Sequence, residues 1–223
     1  MAILILTIFA YVLHLQHSPV TRINAEDEYY GYICLSITLT GFGIRIYTVG
    51  YSPENTSGRN TKSQIADELN TKGIYSVVRH PLYVGNFLMW FGVALLTQNT
   101  WFILAFIFMY WVYYERIMFA EEQFLRKKFG EYYLQWAGIT PAFIPNFKRY
   151  QPSASRFQIK KVLKQEKTGF FLIFLMYFLF DEIGADIIHN RITITLDFWF
   201  YSMAIAVLGY TIIKLLQKNG TID

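Results

Sequence analysis

Polar residues are sparse along this chain and fall between long apolar runs rather than alternating with them. Four runs stand out: Tyr30 to Tyr47, Leu82 to Gln98, Trp101 to Ala120 and Leu196 to Leu216. At about 1.5 Å per residue, runs of roughly 17 to 25 residues cross a hydrocarbon layer about 30 Å thick, so each predicts a membrane-spanning helix. A fifth run, Gly169 to Ile188, is broken only by Asp181, Glu182 and Asp186. A sixth, Met1 to Leu15, is short. Lacking a basic start and a small-residue cleavage site, it reads as a retained span or a partly inserted helix. The predicted fold class is all-α, a multi-pass transmembrane helical bundle of five to six spans.

Composition agrees with this pattern. The 223 residues are 54% hydrophobic, 19% aromatic and only 16% charged, a balance that a water-soluble domain of this size would struggle to cover with polar surface. The net charge of +4 is unevenly placed. Arg59, Lys62, Lys72 and Arg79 lie before the Leu82 run, and eleven basic residues from Arg116 to Lys167 lie at or beyond the end of the Trp101 run. The opposite loops contain only Arg22 and Arg191, so the positive-inside rule puts the loop before Leu82, the segment after Ala120 and the C-terminus in the cytosol. Basic residues that flank spans, with no nucleic-acid-binding motif, argue against nucleic acid as a partner. Cys34, the only cysteine, excludes an internal disulfide and argues against a thiolate metal site; no metal is expected.

The link Gln98-Asn99-Thr100 is so short that the runs it joins must form an antiparallel hairpin. That hairpin returns Glu121 to the membrane face that carries His80, about 40 residues earlier. Ser52 to Ser63 has the composition of a solvated loop or lid, and Thr140 to Pro152, with three prolines, is a second break. The chain thus divides into a core over residues 1–150 and a segment over 151–223 made of a basic stretch and a C-terminal transmembrane hairpin. Arg156 to Lys167 fits either a surface-lying helix drawn to anionic lipid or a plain basic linker.

The chemistry concentrates at the edges of two runs. Pro81 removes a backbone donor and biases His80 away from helical geometry, so a helix should begin just after Pro81 and leave Arg79-His80 on irregular backbone. Such backbone must pack against protein, contact water or face a ligand. Gly73 and Gly85 allow tight turning and close approach, respectively. A lone interfacial Arg usually snorkels to headgroups, but Arg79 sits in a cluster with Tyr75, His80 and Tyr83. Glu121 and Glu122 follow an apolar run directly; adjacent carboxylates are ordinarily a solvated helix face. One turned inward, near Arg79, Arg116 or a cationic ligand, should stay ionised and hold that ligand. A sulfonium-bearing cofactor suits this description.

The ordered set Gly73-x-Tyr75, Arg79-His80-Pro81-x-Tyr83-x-Gly85, Glu121-Glu122-x-x-Leu125 and Phe129-Gly130-x-x-Tyr133 resembles the isoprenylcysteine carboxyl methyltransferase and phospholipid methyltransferase superfamily of integral membrane enzymes. The similarity runs from about Leu69 to Asn146. The resemblance implies a methyltransferase whose cofactor, S-adenosylmethionine, sits in a cytosol-facing pocket formed by Leu69, Asn70, Tyr75, His80, Pro81, Leu82 and Tyr83, with Glu121 closing the site. It implies a lipid or lipid-linked acceptor entering from the bilayer, with Arg116, about one position out of the family register, and Glu122 on the acceptor side. His80, Glu121, Tyr83 and Arg79 are the catalytic candidates. An acceptor carboxylate or phosphate needs no base, whereas an amine or thiol must lose a proton. Isoprenylcysteine carboxylate, phospholipid amine, lipid-linked phosphate and small apolar thiol all stay open.

Other features have plainer readings. The aromatics Phe106, Phe108, Tyr110, Trp111, Tyr113 and Tyr114 could line a lipid tunnel, but the expectation is that they pack between helices, face lipid or form an interfacial belt. His14, His17 and His189 are expected at the interface. Asp181, Glu182 and Asp186 mark either an ion or proton path or a span that ends early, with an outer loop from Asp181 to Asp197. Two alternatives to the methyltransferase follow: a membrane reductase of the sterol type using a nicotinamide cofactor, and a non-catalytic transporter or channel subunit built on those acidic residues.

Overall fold

A computed structural model describes residues 28–53, 66–189 and 194–220. The Met1 to Leu15 run, His14, His17 and most of the Ser52 to Ser63 loop lie outside the described residues, as do the side chains of Asp186 and His189. Among the described residues, five α-helices carry the fold: α1 (Glu28–Tyr51), α2 (Pro81–Leu95), α3 (Thr100–Ile139), α4 (Ile159–His189) and α5 (Phe198–Lys218). The protein is an integral membrane helical bundle: α1, α3 and α5 are each long and apolar enough to cross a bilayer. The fifteen residues of α2 rise only about 22 Å, less than the hydrocarbon thickness of about 30 Å.

Within α1 the hydroxyls of Ser36, Thr40 and Thr48 each donate to a carbonyl four residues earlier, which satisfies them inside their own helix. α1 packs most closely on α2, and the approach depends on missing side chains. A Cβ on Gly85 would meet Arg45 Cγ at 2.7 Å and the Gly41 carbonyl at 2.8 Å, so glycine is required for the backbones to come this near. The main apolar cluster, with Cys34, Phe42, Val93, Met176, Tyr177 and Trp199, joins α1, α2, α4 and α5.

The α2–α3 link is the tight hairpin expected. Gln98 takes a left-handed φ of 50°, and the Asn99 side chain caps α3 by accepting from the Phe102 amide at 3.0 Å. The Trp101 run does not stop at Ala120; α3 continues as helix to Ile139 and bends at Gly130, whose φ of 55° and ψ of −129° only glycine adopts readily. α4 also departs from expectation. The basic stretch is neither a separate surface helix nor a linker from Ile159 onward, but the first turns of one helix running to His189. Asp181 and Glu182 therefore lie inside a helix and are buried, and the outer loop expected from Asp181 does not form. Glu182 Oε1 accepts from the Thr195 amide and hydroxyl, both at 3.0 Å, tying the α4–α5 connection together.

Candidate active site

The α2 helix starts where the sequence demands. Pro81 occupies its first turn, where a missing N–H costs nothing. His80 precedes it at φ −120°, ψ 61°, with its carbonyl accepting from the amides of Tyr83 and Val84. The irregular backbone before His80 packs against protein. Residues 73–80 lie along residues 141–151, with Gly73 N donating to Gln151 O, Arg79 N to Pro141 O, His80 N to Ala142 O and Asn146 N to Val77 O, at 2.9 to 3.2 Å. The Gly130 bend turns the last part of α3 back over this segment, and Trp136 Nε1 donates to Tyr75 O at 3.2 Å.

This framework brings five motif side chains into contact. Arg79 Nε and Nη2 both lie 2.9 Å from Glu122 Oε1, and Arg79 Nη1 donates to the carbonyls of Ala137 and Thr140 at 2.6 and 2.8 Å. His80, 6% exposed, sits between the two carboxylates: Nε2 is 3.0 Å from Glu122 Oε1 and Nδ1 is 3.6 Å from Glu121 Oε2. Tyr83 donates its hydroxyl to Glu121 Oε1 and lies parallel to the His80 ring at 5.6 Å. Glu121 and Glu122 keep about a quarter of their side-chain surface open, so the cluster faces outward on one side.

Burial works against a charged imidazole at His80, but hydrogen bonds and charge from Glu121 and Glu122 outweigh it and raise the His80 pKa above its ordinary value. With His80 neutral, one guanidinium and two carboxylates leave the cluster at net −1; a proton on His80 brings it to zero. Burial also pushes the Tyr75 phenol up to about 12, with the Glu121 charge acting in the same direction and a hydrogen bond to Ser52 opposing.

Tyr75 links this cluster to a cavity of about 210 Å³ lined by Thr48, Ser52, Leu69, Asn70, Gly73 and Tyr75, among others. Cavities that bury a whole small ligand usually exceed about 300 Å³, so this one suits part of a ligand whose remainder reaches the carboxylates. The donor set fits a sulfonium cofactor with a polar tail: two partly open carboxylates flanked by aromatic rings, beside a cavity rich in hydroxyl and amide groups. The buried Tyr133 hydroxyl lies on the Glu122 and Arg79 side of the cluster rather than in this cavity.

The residues singled out in the sequence are not all gathered here. Pro81 and Leu82 shape the first turn of α2, while Leu69 and Asn70 line the cavity but not the charged cluster. Arg116 is exposed, and five to six residues along a helix turn it roughly 120° to 140° away from Glu121 and Glu122. Missed altogether was Arg45, inside a run read as apolar. It is 8% exposed and donates from Nε and Nη2 to Glu166 Oε2 and Oε1 at 2.9 and 2.7 Å, while Nη1 donates to Asn86 Oδ1. A charged residue inside a span was itself the signal that should have found it.

Among known proteins, the family described as phospholipid methyltransferase matches residues 28–132. The chain is 30% identical over 141 residues to the probable protein-S-isoprenylcysteine O-methyltransferase of Oryza sativa subsp. indica, covering 61% of this chain and 72% of that one. It is 30% identical to the protein-S-isoprenylcysteine O-methyltransferase of Schizosaccharomyces pombe, covering 61% of this chain and 58% of that one. It is 31% identical to the cobalt-zinc-cadmium resistance protein CzcN of Cupriavidus metallidurans, covering 52% of each. The chain spans about half the length of several of the curated relatives it matches. No solved structure matches it.

Proposed function

We propose, starting from the fact that the chain belongs to the phospholipid methyltransferase superfamily that includes the protein-S-isoprenylcysteine O-methyltransferases, that it is a methyltransferase acting on a lipid or lipid-linked acceptor. The methyl donor in this reading is S-adenosylmethionine, bound at the cytosolic membrane edge. When bound, it supplies a methyl group on a sulfonium centre. The observation that carries the reading is the meeting of Glu121, Glu122, His80 and Tyr83 beside a polar cavity at the end of a short helix.

Each side chain then has a role set by its contacts. Glu121, about a quarter open and held by Tyr83, presents negative charge to a cationic ligand. Glu122 is occupied by Arg79 and His80, and Arg79 is occupied by Glu122 and two carbonyls; both act as positioning residues for the lead-in to α2. Leu69, Asn70 and Tyr75 line the part of the cavity suited to the polar tail.

Against the opposing effect of burial, hydrogen bonds and charge from Glu121 and Glu122 raise the His80 pKa, which favours the imidazolium over the free base. An acceptor already ionised near neutrality needs no base. We therefore favour O-methylation of a carboxylate, in line with the names of the isoprenylcysteine relatives, and the basic flank supports a cytosolic reaction face by the positive-inside rule.

Equilibrium binding of S-adenosylmethionine to the purified protein tests this. Glu121→Ala is expected to weaken binding about tenfold or more, the scale of one lost charge-assisted contact, and His80→Ala to weaken it by loosening the two carboxylates that His80 holds in place. Unchanged affinity in both variants would overturn the site, and binding of a nicotinamide cofactor in place of S-adenosylmethionine would move the protein to the reductase alternative. Incubating membranes with methyl-labelled donor then identifies the acceptor.

A further inference from the structure

The matched family region supplies Arg45 but not its counter-charge. Arg45 lies on α1 within residues 28–132, whereas Glu166 lies on α4, beyond that match. An unpaired guanidinium inside a bilayer-spanning bundle is costly, so in this chain the C-terminal segment completes the core. The pair is bidentate and Glu166 is only 2% exposed, which fixes the rotation of α4 about its own axis.

The third contact of Arg45 leads toward the motif. Asn86, which accepts from Arg45 Nη1, points its Nδ2 at the Tyr114 hydroxyl 3.5 Å away on α3. The Tyr114 ring stacks on Tyr110 at 4.0 Å and lies 5.0 Å from Tyr83. Tyr110 donates its hydroxyl to the Tyr83 carbonyl at 2.7 Å, and Tyr83 donates its own to Glu121. The contacts form a continuous path from α4 through α1, α2 and α3 to the carboxylate that faces the ligand. Each polar atom on it is directional, so a displaced guanidinium shifts Asn86 and the tyrosines against which Tyr83 rests.

We infer that Glu166 and Arg45 are positioning residues for the candidate site: through Asn86 and the Tyr110–Tyr114 pair, the C-terminal helix α4 sets the placement of Tyr83 and Glu121. The segment after the family region is thereby a working part of the site rather than an appended anchor. The binding half of the test rests on the cofactor reading above; the exchange half does not.

The experiment uses full-length protein in lipid nanodiscs with Glu166→Gln, Asn86→Leu and, as a comparison, Tyr177→Phe. Tyr177 also joins α4 to α1, through a buried hydrogen bond to Thr38 at 2.9 Å, and its ring stacks on Trp199; among the described residues it makes no hydrogen bond or ring contact with the path. Amide exchange over residues 83–86 is read on cofactor-free protein, and S-adenosylmethionine affinity is read separately. Glu166→Gln and Asn86→Leu are expected to quicken that exchange and weaken binding by about tenfold each, within the usual range of coupling between sites, while Tyr177→Phe lowers Tm and leaves both readouts at wild-type values. If Glu166→Gln fails to fold, Asn86→Leu decides by the same readouts. Exchange and affinity unchanged in the path variants, or changed equally by Tyr177→Phe, would overturn the inference. Absence of binding in the wild type would sink the cofactor reading alone and leave the exchange comparison decisive.

Discussion

Nε2 of His80 lies 3.0 Å from Oε1 of Glu122, the same oxygen that Arg79 grips with two nitrogens. One carboxylate oxygen thus fixes the only two basic side chains of the Arg-His-Pro motif. His80 in turn reaches toward Glu121, so its charge state is shared between both acids.

That geometry sets a pH dependence. The folded-state pKa of His80 is raised, so its contribution to stability is fully present below the unfolded value near 6.5 and is lost as pH rises through the folded value. The Tm advantage of wild type over His80→Gln is expected to shrink steadily as pH rises from about 6 through that value. A Tm difference that grows over the same interval would show that His80 is held neutral. Binding of a cationic ligand should have the opposite slope, strengthening as His80 deprotonates and the cluster moves from zero to net −1.

The two adjacent carboxylates should separate by function. Glu122→Gln leaves Arg79 partly buried without its partner and is expected to cost about 1 to 2 kcal/mol, reduced from the fully buried case because both side chains retain some exposure. Glu121→Gln keeps an acceptor for Tyr83 and should change Tm little while weakening S-adenosylmethionine binding about tenfold. Thermal melts and calorimetric titration of the two variants check this, and identical behaviour would refute the division.

Removing one member of the Arg45–Glu166 pair should cost more than removing both. Arg45→Ala strands a buried carboxylate and is expected to destabilise by about 3 to 5 kcal/mol, whereas Arg45→Met combined with Glu166→Leu should recover most of that loss. Tm of the single and double variants gives the comparison. A double variant as unstable as the single would mean that stability at this point comes from geometry rather than from pairing of charge.

Gly130→Ala places a side chain at φ 55°, ψ −129°, where the open space around its Cβ offers no relief from backbone strain. A cost of about 1 to 3 kcal/mol is expected, together with a shift in Trp136 fluorescence as its bond to the Tyr75 carbonyl loosens. An unchanged spectrum would show that the end of α3 can cover the motif without the bend.

Much of the architecture was legible in the chain. Long apolar runs must become helices in lipid because no other local structure satisfies their backbone there, and a three-residue link permits only an antiparallel return. Those two facts placed His80 and Glu121 on one face, and Pro81 placed the start of α2. The extent of the helices was less visible: α3 and α4 continue through polar sequence, because leaving lipid does not oblige a helix to end and Gly130 bends α3 without terminating it.

The tertiary structure decided which polar groups meet. Hydropathy averages over a window, so a single arginine among nineteen or so apolar neighbours vanishes from it, and Arg45 was read as part of a span. Its partner, 121 residues away, depends on how α1 and α4 are rotated against each other, and that rotation follows from packing: Thr38 against Tyr177 and Phe42 against Phe170. Periodicity along the chain records which medium a residue prefers; only the packed helices determine which charge it will face.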